Sequence, residues 1–178
     1  MPNLNSFTAK SPTGGLLRAL LTPCAIAAAF DPKVAPQPTM RQYQAIWDTG
    51  ATNSCISQKV VDECGLKASG VAQVFGVHSD ELSDTFLVCI GLPNQMGIPS
   101  LRVTKGELKH FDVLIGMDVI TKGDLAITNL NGNTVFSFCM PSHKCIDFVA
   151  EQQSALQQPR PGFRGYTQPP GQKPKRHK

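Results

Sequence analysis

The sequence predicts an all-β domain, and three observations carry that prediction. Long segments with a 3.6-residue apolar period are nearly absent. Short apolar runs alternate with Gly, Pro, Asn and Asp. Asn131-Gly132, set between two strand-like runs, is a strong hairpin signal. The chain has 178 residues, enough for one domain with tails.

Residues 1–14 are rich in Asn, Ser, Thr, Pro and Gly and read as a flexible N-terminal arm. Residues 16–21 and 25–30 are short apolar strand segments, separated by Thr22-Pro23. Three prolines in residues 31–38 require an extended loop. Residues 43–47 form a buried strand that leads into Asp48-Thr49-Gly50. Residues 57–64 read as a short helix: Ser57 can cap it, Val60, Val61 and Cys64 share a face, and Gly65 can end it. Residues 71–77 and 85–90 are strand-like around polar Ser79-Asp80-Glu81, which predicts a second hairpin. Residues 101–104 and 111–115 are further strands, the latter followed by one helical turn over 117–121. Residues 124–128 and 134–138 flank the Asn131-Gly132 turn. The folded domain is thus placed at 15–150, followed by a disordered basic Pro/Gln/Gly-rich tail at 151–178.

Charge supports this division. The net charge is +4, but residues 1–150 carry 11 Lys/Arg against 12 Asp/Glu, whereas residues 151–178 carry 6 against 1. A near-neutral body argues against a nucleic-acid-binding domain and leaves weak contacts only to the tail. Six cysteines without dense spacing read as reduced, mostly buried thiols. No apolar run is long enough for a spanning helix. The apolar stretch 19–30 is set aside as a signal peptide because Pro23 interrupts it and cleavage there would remove a strand; a cytoplasmic location is expected.

The chemistry centres on Ala45-Ile46-Trp47-Asp48-Thr49-Gly50-Ala51-Thr52. A carboxylate at the end of an apolar strand is costly unless it is held by hydrogen bonds. Gly50 permits a sharp turn close to that carboxylate, and Thr49 offers a hydroxyl. A second motif, Leu114-Ile115-Gly116, can pack behind the loop. Asp-Thr-Gly is also ordinary turn chemistry, and Leu114-Ile115-Gly116 is also an ordinary core strand. Asp112, Asp118 and Asp124 lack a following hydroxyl-Gly pair and are expected to be turn, helix-capping or surface residues. Cys139, His143 and Cys145 have zinc-donor spacing without a clear fourth ligand; they are read as a strand exit, with no metal.

Over roughly residues 16–141 the chain resembles the retropepsin family of retroviral and retroviral-like aspartic peptidases. The resemblance rests on the two motifs and their order. It implies a closed β-barrel with one or two short helices, acting as a homodimeric aspartic endopeptidase on peptide substrates without a cofactor. Asp48 would be the catalytic aspartate. Thr49 and Gly50 would form the active-site loop and dimer interlock. Gly50, Ala51 and Thr52, with Gly76 and Val77 from a flap at about 71–90, would contact substrate. Leu114, Ile115 and Gly116 would support the site from behind. A family pair, an acidic residue where Thr52 stands and an arginine where Met117 stands, is jointly absent. With one Asp-Thr-Gly per chain, two chains must supply two carboxylates, which would share a proton and titrate as a pair. The alternative reading is a catalytically silent retropepsin-like module for dimerisation or peptide binding.

Overall fold

The computed structural model describes residues 5–75 and 80–157 and divides into two units, one reaching Lys144 and the other starting at Cys145. The first unit is built of strands. They are β1 (Ser6–Lys10), β2 (Leu21–Ala28), β3 (Arg41–Trp47), β4 (Cys55–Ile56), β5 (Gly70–Phe75), β6 (Asp80–Gly91), β7 (Gly97–Lys105), β8 (Val113–Ile115), β9 (Asp124–Thr128) and β10 (Val135–Cys139). Two short helices interrupt them, α1 (Gln58–Glu63) and α2 (Met117–Ile120).

Strands β2-β3-β8-β4-β7-β6 follow one another around a ring, and a β2–β6 pairing closes it into a six-stranded barrel. Strand β5 extends β6 as a hairpin arm outside the ring. Parallel pairing joins β3 to β8 and β4 to β7. The interior is aliphatic: Ile26, Ala45, Ile56, Val88, Val113 and Ile115 are all essentially inaccessible to solvent. Closure pairs β2 with β6, strands that would otherwise leave an open sheet edge. Among the described residues no helix is long and apolar enough to cross a membrane.

A second sheet, β1-β10-β9, is antiparallel throughout. It corrects the reading of residues 1–14 as a flexible arm. Ser6–Lys10 pair residue by residue with Val135–Cys139, and Phe7 is buried among Trp47, Phe136 and Phe138. One large apolar side chain and a full ladder anchor an otherwise polar segment.

Other boundaries shift for physical reasons. Thr22-Pro23 does not separate two strands, because β2 runs through it. Strand β6 joins β2 only from Ala25 onward, so Pro23 lies where β2 has a single neighbour and a missing donor is tolerated. Asp80 and Glu81 belong to β6 rather than to a turn. Ser57 stands at the N-cap position of α1, but its hydroxyl makes no cap bond and is buried without a partner. Gly65, at φ +59°, ends the α1 segment as expected. Of the six free cysteines only Cys24 and Cys89 are fully buried, and Cys145 is exposed.

In the second unit, residues 151–157 are helical rather than disordered: α3 spans Phe148–Gln157. Its start is fixed by Asp147, whose Oδ1 accepts the N–H groups of Val149 (2.9 Å) and Ala150 (3.0 Å). Residues 158–178 lie outside the described residues.

Candidate active site

Asp48 follows directly on β3, and β8 decides where it stands. Ala45, Ile46 and Trp47 pair in parallel with Val113, Leu114 and Ile115, and the Asp48 N–H extends the ladder to Ile115 O at 2.9 Å. The chain then turns. Asp48 Oδ1 accepts the Gly50 N–H at 2.8 Å, and Asp48 O accepts the Ala51 N–H at 3.3 Å. A Cβ on Gly50 would lie 3.2 Å from the same carboxylate oxygen, so glycine leaves that oxygen room. Asp48 and Ala51 are half-buried, whereas Thr49, Gly50 and Thr52 are exposed.

Leu114, Ile115 and Gly116 cross behind this loop. Ile115 is buried, and Leu114 lies between Ile46 of β3 and Cys55 of β4. Gly116 is required by close approach: a Cβ there would sit 2.8 Å from Ala51 O and 2.7 Å from the Asn53 carbonyl carbon. The loop is stitched to α2 by Met117 N–H to Ala51 O (2.8 Å) and Asp118 N–H to Thr52 O (3.1 Å).

The sequence reading did not single out Ser54 and expected Asp118 only as a turn, helix-capping or surface residue; the structure joins the two. The Asp118 carboxylate accepts the Ser54 hydroxyl at 2.7 Å and the Ser54 N–H at 3.0 Å. The same hydroxyl oxygen accepts the Gly116 N–H at 3.0 Å. Ser54 is fully buried, so this network fixes the far end of the Asp48 loop against β8 and α2. Asp118 therefore sits beside the loop as its brace. Asp112 instead meets Lys59 at 3.0 Å, and Asp124 holds the turn that follows β10. Burial, reinforced by the nearby Asp118 and Asp48 carboxylates, pushes the Cys55 thiol up to about 11.

The hairpin expected at about 71–90 is formed by β5 and β6, paired from Gly70↔Thr85 to Phe75↔Asp80. Gly76 and Val77 lie outside the described residues. A groove of about 1020 Å³ runs between this hairpin and residues 105–108, bordered by Val71, Val74, Ser83, Lys105 and Leu108. Asp48 is not among its lining residues. Of the three zinc-type donors seen in sequence, Cys139 and His143 converge, and the group that meets them is Asp124.

The barrel closes as the resemblance implied, the Asp48 loop leaves it between β3 and β4, and Leu114-Ile115-Gly116 backs that loop. The fold is retropepsin-like. Solved structures similar to this chain include an EIAV protease in complex with an inhibitor, at 16% identity over 59% of this chain and 88% of that one, with a TM-score of 0.43. A retropepsin-like aspartic protease from Rickettsia conorii is similar at 11% identity over 79% and 98%, with a TM-score of 0.46. The retroviral protease-like domain of Ddi1 from Leishmania major is similar at 19% identity over 68% and 95%, with a TM-score of 0.40. No protein-family model and no curated protein matches the sequence.

Proposed function

We propose that the chain is an aspartic endopeptidase that works as a homodimer, each subunit contributing one Asp48. The observation that carries this reading is the braced loop. Asp48 leaves a buried strand with one carboxylate oxygen oriented by the Gly50 N–H, while Thr49 and Gly50 beside it are exposed. A plain turn would also use the Asp48–Gly50 bond. It would have no need of the Ser54–Asp118–Gly116 network, centred on the buried Ser54, that fixes the loop from behind.

In the pair, two Asp48 carboxylates at close range share one proton. The ionised one takes a proton from water as that water attacks the scissile carbonyl. The protonated one hydrogen-bonds the carbonyl oxygen. Thr49 interlocks with its twin, Gly50, Ala51 and Thr52 contact the extended substrate, and the β5–β6 hairpin closes over it.

The test incubates wild type and Asp48→Asn with a diverse peptide pool, with and without a transition-state-mimicking aspartic-protease inhibitor, while chain mass in solution is measured. Cleavage that requires Asp48 and yields to the inhibitor is expected. Turnover that survives Asp48→Asn rejects the mechanism. A wild type that pairs and binds peptides without cleaving them selects the silent-module alternative.

A further inference from the structure

At the end of the β9–β10 hairpin, three donors of different chemistry converge. Cys139 Sγ lies 3.6 Å from Asp124 Oδ2 and 3.5 Å from His143 Nδ1, and Nδ1 lies 3.8 Å from the same oxygen. A tetrahedral zinc ion with its ordinary bond lengths, about 2.3 Å to thiolate and about 2.0–2.2 Å to imidazole and carboxylate, separates such donors by about 3.3–3.6 Å. The triangle is therefore already close to the size that one ion would span.

Two further features shape this corner. Gly123 precedes Asp124, and a Cβ on it would lie 1.9 Å from Cys139 O, so only glycine lets the start of β9 come this close to the end of β10. Asp124 is also gripped from the turn. It accepts the Ser142 hydroxyl and the N–H groups of His143 and Lys144, the latter two at 2.8 Å on Oδ2. Those bonds wrap residues 142–144 around the carboxylate and return the His143 ring to the oxygen that its own N–H binds. Hydrogen bonds of this kind orient a ligating carboxylate. The His143 side chain is 60% exposed, which leaves an entry path from solvent.

We propose that Asp124 Oδ2, Cys139 Sγ and His143 Nδ1 form a three-donor site for a zinc-class divalent cation, with the fourth position open to water. One sulfur, one nitrogen and one oxygen suit a borderline-soft ion and disfavour magnesium or calcium, which take oxygen. Binding converts the Cys139 thiol to thiolate and releases its proton to solvent. The site lies on the terminal sheet, and none of its ligands belongs to the Asp48 loop, so it stands apart from the peptidase reading. The competing account is that Asp124 merely ties a turn. In that account the Cys139 sulfur is a bystander.

The full chain, stripped with chelator under reducing conditions, is titrated with Co²⁺ and then with Zn²⁺. One Co²⁺ per chain should bind with a thiolate-to-metal charge-transfer absorption, and Zn²⁺ should bleach it. Cys139→Ser should abolish that absorption with an unchanged far-ultraviolet circular dichroism spectrum. His143→Ala should weaken Co²⁺ binding at least about ten-fold. Cys145→Ser, which removes the exposed thiol two residues beyond His143, should leave the spectrum as in wild type. Asp124→Asn should also weaken binding, but because it loosens the turn, Cys139→Ser decides the matter. Substoichiometric cobalt, binding without charge transfer, or a band that survives Cys139→Ser overturns the site. None of these readouts uses peptide cleavage.

Discussion

Ser54 shows how much one hydroxyl can organise. Its O–H donates to Asp118 and its oxygen accepts from the Gly116 N–H, in a place water does not reach. Ser54→Ala leaves the Gly116 N–H without its acceptor and should cost about 1–3 kcal/mol in urea unfolding. Gly116→Ala should cost a similar amount, about 1–3 kcal/mol, because the new Cβ meets backbone atoms of Ala51 and Asn53 and not a side chain able to rotate away. Cys55 reports on the same corner. With its thiol pushed up to about 11, its alkylation rate should rise about ten-fold per pH unit up to that value, and Asp118→Asn should speed it at fixed pH by removing an anion that opposes the thiolate. A Cys55 rate that levels off near pH 8 would contradict this. At this scale the Asp48 tripeptide and Leu114-Ile115-Gly116 were legible because each compresses backbone need and chemistry into adjacent residues. Asp118 was not, since its partner stands 64 positions away and the residue alone reads as a helix-start aspartate.

Between elements, the joint that matters is aromatic. Trp47 lies one residue before Asp48 and packs against Phe7, Phe136 and Phe138, with ring centroids 4.9–5.7 Å apart. Its indole N–H is satisfied by the buried Thr22 hydroxyl at 2.9 Å. The terminal sheet thereby holds the strand that presents Asp48, which gives a bulky residue at this position a structural reason. Phe7→Ala should destabilise the domain by about 3–5 kcal/mol, measured by urea unfolding. A neutral result would return residues 6–10 to the flexible arm expected from their composition. The β9–β10 hairpin was readable because Asn131-Gly132 names its own turn. The β1 ladder was not, because its partner lies some 130 residues downstream and only Phe7 marks an inward face. The closing β2–β6 pair was likewise unreadable, since neither strand carries a local sign of the other.

For the molecule as a whole, the question is whether one chain can do chemistry alone. Among the described residues, the other carboxylates near this region are engaged: Asp118 with Ser54 and Asp112 with Lys59. Asp48 has its oriented oxygen and an exposed Thr49-Gly50 edge beside it. If two chains each lend one Asp48, an inactive partner must poison an active one. A mixed dimer of wild type and Asp48→Asn holds one carboxylate and one amide and cannot divide the work between base and acid. Mixing wild type with a ninefold excess of Asp48→Asn, after exchange at low concentration, should therefore cut cleavage to about one tenth by random pairing, with the amount of wild type held constant. Diluting wild type alone should lower activity per chain more steeply than a monomer would allow. An enzyme working as single chains would ignore both the added mutant and the dilution. In that event the second carboxylate would have to be sought within one polypeptide, and the role given to Thr49 would have no basis.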